Sequence, residues 1–445
     1  MWEAKKSYLK KETRERIIFL IDMNSYFATC EQMFNPDLRG KPIGVGGSSL
    51  ERTVVTAASY EAKRYGVKNG MSVYEAKKFC PNLILVPGDY KKYTETTANF
   101  LKIFQDYTPD LEVFSIDEGF LDVTDTEARF GGFVQIAKEI KKRIKEELGF
   151  LFTCSIGISY NKTMAKLAAS KMKPDGLVWI KRNVLDEDKK WFYHQLNGTK
   201  GKLFSTQEAL KTSRLTDLCG IGSRIERQLL NRGIHSITGL AKMPITQLKK
   251  KFGVYGNFLH LIANGEDPSP VIPYWENDSY KSMGHHYTLP NDLHTPEELK
   301  PLLLKFSEKI GTKLRTHGYW GKTIHLLLKT KDFSTLSQQR TLPCYTNDGY
   351  EIYKEACRIL EQWVFPESVR MIGIQCSQLV KNYGQLSFLK PTIKQEKLIH
   401  VMDKINEKYG EFTVMRGLIL NTKLKTHVGG FVEDKGKMRK NLLLS

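Results

Sequence analysis

The patterned part of the chain opens at 17–21, Ile-Ile-Phe-Leu-Ile, an unbroken apolar run too short for a helix and read as a buried strand. Helical spacing follows through 26–33. Short apolar runs at 42–45, 53–57 and 83–86 predict strands, the first two in a small sheet, and 61–65 and 72–79 predict short helices, the second ended by Cys80-Pro81. Apolar positions over 90–107 recur with helical period, and 111–115 and 120–123 read as the arms of a hairpin. A long helix over 133–147 carries basic residues outward; 152–158 reads as a strand, 162–171 as a helix and 176–179 as another strand. This order predicts an α+β sheet with helices packed on one face.

The pattern changes after about residue 181. To about 265 it predicts short helices separated by Gly and Pro, with no convincing strand. Residues 266–280 are Pro-rich and polar and read as an interdomain linker. Strands return from 281 to 380 around helices at 296–316 and 350–361, in the β-α-β-β-α-β order of a ferredoxin-like unit. The last 65 residues predict one helix, 394–409, and a basic tail. At 445 residues the chain exceeds what one core supports, so several domains are expected.

The candidate chemistry sits at strand ends. Asp117 and Glu118 occupy the turn between the hairpin arms, and Asp22 ends the first strand about 95 residues upstream. Acids at strand ends are common, but three around one point oppose one another's ionisation unless cations sit among them. Mg²⁺ or Mn²⁺ is the fitting ion, hard and able to share its shell with phosphates. A pair of such ions clamps the attacking and leaving oxygens of a phosphoryl displacement.

Charge narrows the partner. With 68 Lys and Arg against 49 Asp and Glu, the net charge is +19, which points to a polyanion and first to nucleic acid. No apolar run is long enough to cross a membrane, and the charged first 15 residues lack the apolar stretch of a signal peptide. Seven cysteines are scattered singly, a usage that fits a reducing cytoplasm.

Six segments in order, Asp22-Met23-Asn24-Ser25-Tyr26-Phe27-Ala28, Tyr60-Glu61-Ala62-Lys63-Arg64-Tyr65-Gly66-Val67, Ser115-Ile116-Asp117-Glu118, Gly157-Ile158-Ser159-Tyr160-Asn161-Lys162, Lys171-Met172-Lys173-Pro174-Asp175-Gly176 and Gly220-Ile221-Gly222, resemble the Y-family lesion-bypass DNA polymerases. The resemblance covers roughly 17–380; Asn24 and the long tail look more like the branch holding the bacterial SOS mutagenic polymerase subunit. It implies an α+β multidomain right hand: a ferredoxin-like palm at 16–22 and 90–180, small fingers at 23–89, a helical thumb at 181–265 and a little finger at 281–380. A basic extension at 1–15 and a tail at 381–445 would flank these. The implied activity is error-prone, DNA-templated synthesis past damaged bases during DNA repair and the SOS response. Its substrates would be primer-template DNA and deoxynucleoside triphosphates.

Carried onto this chain, Asp22, Asp117 and Glu118 would hold two Mg²⁺ ions, Mn²⁺ substituting, with the Met23 carbonyl as a further ligand. Asn24 stands where the family often has Asp, which argues against a metal role there. Phe27 would be the steric gate against a ribose 2′-OH. Tyr60, Lys63, Arg64 and Lys173 are candidate triphosphate contacts, and either Lys63 or Arg64 could serve. Gly220, Ile221 and Gly222 resemble the turn of a helix-hairpin-helix that offers amides to a DNA phosphate. Gln385, Leu386, Ser387, Phe388 and Leu389 resemble a sliding-clamp peptide with its last two residues exchanged. Basic residues such as Lys281, Lys313, Arg315, Lys322, Lys329 and Lys331 could line the duplex. An SOS accessory subunit or recombinase filament is a further candidate partner. Competing classes are an inactive scaffold that binds DNA or the clamp, against which the intact acids argue, and a nucleotidyl cyclase, which needs neither thumb nor gate.

Overall fold

The computed structural model describes residues 15–47, 52–276, 280–366, 368–383, 390–420 and 422. Its two compact units divide near residue 277. In the first, β1 (Ile18–Met23) leads to α1 (Tyr26–Phe34). Then come β2 (Ile43–Gly46), β3 (Ala57–Ala58), α2 (Tyr60–Arg64), α3 (Val73–Phe79) and β4 (Ile84–Pro87). These three strands pair in the order β3-β2-β4, and Val55, Ala58, Ala62, Val73 and Leu83 close a small core of their own.

The main sheet draws on the next stretch of chain, through α4 (Tyr90–Gln105), β5 (Leu111–Val113), β6 (Glu118–Asp122), α5 (Phe133–Arg143), β7 (Cys154–Ser159), α6 (Lys162–Lys171) and β8 (Leu177–Lys181). Beyond it lie α7 (Asp186–Leu196) and β9 (Gly201–Ser205). The strand order is β5-β6-β1-β7-β8-β9, with β1 central and antiparallel to both neighbours. Strand alternation sends Phe19 and Ile21 into a core shared with Phe100, Phe104, Ile136 and Ile140 of α4 and α5. Ile18 and Leu20 point the other way, to Phe120, Ala165 and Ala169. Helices therefore cover both faces, which corrects the one-face expectation. The sequence carried the reason: β1 is apolar at every position from Ile18 to Ile21 and needs cover on both sides. At Gly157 a Cβ would lie 2.1 Å from the Ala165 carbonyl oxygen, so α6 rests directly on the sheet backbone.

Two further corrections concern 181–280. β9 pairs in parallel with β8 and extends the main sheet. Its Gly-Lys-Leu-Phe-Ser sequence buries only the adjacent Leu203 and Phe204, so no alternation betrays it. The stretch read as an interdomain linker begins as a strap on the sheet. Asp267 accepts hydrogen bonds from the Thr163 N–H and hydroxyl (3.2 and 2.8 Å), the Ile272 N–H donates to Glu112 (2.8 Å), and Val271 is buried. Between β9 and the strap, α8 (Thr206–Lys211), α9 (Ser223–Leu230), α10 (Ile237–Lys242), α11 (Ile245–Phe252) and α12 (Tyr255–Ala263) enclose Leu215, Leu218, Ile221, Leu229, Leu240 and Leu259.

The second unit runs β10 (Ser282–Leu293), α13 (Pro296–Thr316), β11 (Tyr319–Thr330), β12 (Thr335–Thr346), α14 (Gly349–Leu360), β13 (Val369–Ser377) and β14 (Val380–Lys381). The order β10-β13-β11-β12 is the expected β-α-β-β-α-β sheet, with β14 added against β11. Ile324, Leu326, Leu328, Ile372 and Ile374 meet Phe306, Ile310, Ile352 and Ile359 of the two helices. The opposite face carries Thr323, His325 and Lys329, registered with Ser377, Gln375 and Met371. Beyond the sheet, α15 (Lys390–Tyr409) is held to α13 by Arg315, whose Nε lies 2.6 Å from Asp403. Arg315 and Lys313 thus belong to the helical layer rather than to the open sheet face, and Arg315 is committed to Asp403 and the Asn347 carbonyl. Among the described residues, no helix is long and apolar enough to cross a membrane.

Candidate active site

The register of the main sheet gathers the acids. Asp22 is directly opposite Glu118 of β6, and the Met23 N–H donates to the Asp117 carbonyl at 2.9 Å. Side chains so opposed have Cβ atoms about 5 Å apart. Each acid has a partner. Lys173 Nζ lies 2.6 Å from Asp22, Lys166 Nζ donates to both Glu118 oxygens (2.8 and 2.7 Å), and the Ser115 hydroxyl donates to Asp117 (2.6 Å). Burial pushes the Asp117 and Glu118 carboxyls above the usual range. The Ser115 hydrogen bond opposes this at Asp117, and the Lys166 ammonium opposes it at Glu118.

Among the described residues no three acids converge tightly enough to grip an ion, and two of the acids here are paired with lysines. The donor set nevertheless fits a hard divalent cation: three partly desolvated carboxylates at and beside adjoining strand ends.

Asp22 and Asp117 border a cleft of about 160 Å³ with Phe27, Tyr60, Lys63 and Lys173. Of the predicted metal ligands and nucleotide contacts, two do not border the cleft: Glu118, which sits opposite Asp22 in the sheet, and Arg64, the exposed last residue of α2. Lys63 fills that place. Its Nζ donates to Ser25 Oγ at 2.7 Å and lies 4.7 Å from the centre of the Tyr60 ring. Burial, aided by Lys173, lowers the Lys63 ammonium, and burial raises the Tyr60 phenol. Ser25 caps α1 in the left-handed region at φ 48, a conformation that costs a non-glycine residue about 1 kcal/mol and turns the chain sharply out of β1. Phe27 stacks on Tyr93 with centroids 4.4 Å apart, and Tyr93 is pinned by its hydroxyl to Glu31 at 2.6 Å.

Asn24 has a part that its sequence position did not disclose. It is 3% exposed. Its amide donates to Ser155 Oγ (2.9 Å) and accepts from Thr153 Oγ1 (3.0 Å) and the Asp175 N–H (2.8 Å). It therefore ties the end of β1 to the loop that carries Lys173. Asp175 is also held by Lys141 and Lys145, whose ammoniums keep its carboxyl below the usual range against the effect of burial. Thr56 and Asn69 border the cleft as well and were missed. They belong to no motif, and nothing in the sequence singles them out.

At the thumb turn, Gly220 takes φ 101 and its carbonyl accepts from the Tyr255 hydroxyl at 2.6 Å. Gly222 caps α9, and a Cβ there would meet nothing within 4 Å. Ile221 is a buried anchor, so only its backbone is available to a ligand. The peptide Gln385, Leu386, Ser387, Phe388, Leu389 and residues 1–14 lie outside the described residues.

Comparison with known proteins identifies the family. Two family models, described as impB/mucB/samB family and its C-terminal domain, match residues 21–170 and 280–388. A "DNA polymerase IV" of Pelotomaculum thermopropionicum is 38% identical over 91% of this chain and 95% of its own length. One from Moorella thermoacetica is also 38% identical, over 91% and 96%, and "DNA polymerase IV 2" of Bacillus subtilis is 32% identical over 92% and 95%. Among solved structures, a Y-family DNA polymerase chimera of Dbh and Dpo4 superposes with a TM-score of 0.66 at 26% identity, covering 82% of this chain and all of that one. These matches carry the family; the finer branch rests on Asn24 and the tail alone. With family models covering more than half of its length and relatives above 30% identity along nine-tenths of it, the chain belongs to the impB/mucB/samB family, the Y-family of DNA-directed, lesion-bypassing DNA polymerases.

Proposed function

We propose that this polymerase joins nucleotides by two-metal-ion transfer at Asp22, Asp117 and Glu118, copying damaged templates with low fidelity in the SOS response. The observation that carries the reading is the register of Asp22 with Glu118, Asp22 bordering a cleft also lined by Lys63 and Tyr60. Two Mg²⁺ ions, or Mn²⁺, held by the three carboxylates and the Met23 carbonyl would make the primer 3′-OH a better nucleophile and neutralise the triphosphate and departing pyrophosphate.

The protein's own groups do the rest. Lys63, Lys173 and Tyr60 hold phosphate oxygens with charge-assisted hydrogen bonds. Phe27, backed by Tyr93, fills the space a 2′-OH would need. The Gly220–Gly222 turn offers backbone amides to a phosphate. The open face of the second sheet, with Lys329 and the polar pairs Thr323–Ser377 and His325–Gln375, suits a duplex read by its backbone. The segment 385–389 is proposed to dock on a sliding clamp, and a recombinase filament or accessory subunit is the further partner expected of an SOS polymerase.

Extension of a primed template, undamaged and carrying an abasic site, tests the reading. Asp117→Ala or Glu118→Ala should reduce extension on both templates by at least about 10²-fold while gel-shift affinity for primer-template persists. Near wild-type extension by Glu118→Ala would remove the assignment.

A further inference from the structure

Lys166 belongs to the acidic site without belonging to the nucleotide cleft. It rises from the second turn of α6 and gives Glu118 a two-pronged ammonium contact at 2.8 and 2.7 Å, with the Phe114 ring centre 4.5 Å from Nζ. The Glu118 side chain is 12% exposed and that of Lys166 27%. Lys166 reaches Glu118 from a separate hollow of about 510 Å³ walled by Phe114, Phe120, Phe258 and Leu261, which shares no lining residue with the nucleotide cleft.

We propose that Lys166 is a positioning residue: a resident counter-cation that holds the Glu118 carboxylate and yields it when a divalent cation is bound there. This rests on reading Asp22, Asp117 and Glu118 as metal ligands. An ammonium on both oxygens already neutralises the carboxylate charge that a hard cation would draw on, so the two compete for Glu118. The displaced ammonium has somewhere to go, since the face of Phe114 is already at cation–π distance and the hollow gives the stem room.

Lys173 makes a similar pair with Asp22, but it borders the nucleotide cleft, where triphosphate oxygens can draw it away. Lys166 faces no such anion there. Its release therefore answers to the cation itself, and it sets how tightly the site holds metal before nucleotide arrives.

The test is a Mn²⁺ titration of the full-length protein without DNA or nucleotide, free Mn²⁺ being followed by electron paramagnetic resonance. Lys166→Met, which keeps the stem and removes the charge, should bind Mn²⁺ about tenfold more tightly, the scale of one hydrogen bond to a charged group. Lys166→Arg should stay near wild type, and Lys166→Gln should repeat the Met result if the Met variant folds poorly. In a Glu118→Ala background the gain should vanish. Unchanged or weaker binding by the folded neutral variants, with Glu118→Ala still weakening Mn²⁺ binding, overturns this inference alone. Wild-type Mn²⁺ affinity in Glu118→Ala overturns the metal reading and this inference with it.

Discussion

Asn24→Ala separates a residue that aims a phosphate contact from one that merely fills the core. The side chain makes three hydrogen bonds in a nearly fully buried position, to Ser155, Thr153 and the Asp175 N–H. Each is worth about 0.5–1.5 kcal/mol net, and a buried donor left unpaired costs about 1–3 kcal/mol. Ser155 Oγ loses only a donor and the Thr153 hydroxyl can rotate, but the Asp175 N–H is fixed in the backbone. The loop keeps its Lys141 and Lys145 ties, so the expected global cost is about 2 kcal/mol rather than the sum of all three bonds. What loosens is the placement of Lys173, two residues before Asp175. A misplaced charged contact to the triphosphate costs about 1.5–3 kcal/mol, or roughly 10- to 100-fold in kcat/KM. Because the contact is to bound nucleotide, most of the loss should appear in the KM for deoxynucleotide. Steady-state extension under varied nucleotide, with primer-template affinity measured separately, gives both numbers. Asn24→Asp keeps the acceptor for Asp175 and should lie between Ala and wild type. An unchanged nucleotide KM in a folded Asn24→Ala protein would refute the reasoning.

Three other outcomes are expected from the geometry. Phe27→Ala should raise ribonucleotide relative to deoxyribonucleotide incorporation by about 10²-fold, the discrimination a hydrophobic wall gives against one hydroxyl; unchanged selectivity would leave Phe27 as core packing on Tyr93. Replacing Leu386, Phe388 and Leu389 together with Ala should abolish stimulation by a sliding clamp and leave clamp-free extension alone, since each buried apolar side chain is worth about 1.5–3 kcal/mol; full stimulation of the triple variant would end the clamp reading. His285 is buried against Phe306 with Nε2 unpartnered, and burial, reinforced by Lys309 and Lys313, pushes its pKa down to about 4. A folded-state pKa below the ordinary 6.5 means stability is full above pH 6.5 and falls as pH drops toward 4, by at most about 3 kcal/mol. His285→Leu should flatten that part of the denaturation profile, and an equally steep acid loss in the variant would assign it to other groups.

What the sequence determined by itself was whatever repeats at short range. Apolar runs and helical periods placed α6 and α13 to the residue and β1 to within two residues, because burial on a strand or helix leaves a period of 2 or 3.6. Through the resemblance they carry, the ordered motifs pointed to the acids and to the residues proposed as gate and phosphate contacts. The tertiary structure decided everything that depends on what lies across a sheet or loop. It seated α6 on the face opposite α4 and α5, recruited β9 to the main sheet, and turned the start of a Pro-rich linker into a strap through Asp267 and Val271. It set Lys63 rather than Arg64 on the cleft, joined Asn24 to a loop 151 residues away, and closed Lys166 onto Glu118. The physical reason is common to all of these. Hydrogen bonds and ion pairs between distant segments leave no period in the chain, and become visible only when sheet register brings those segments within about 3 Å of each other.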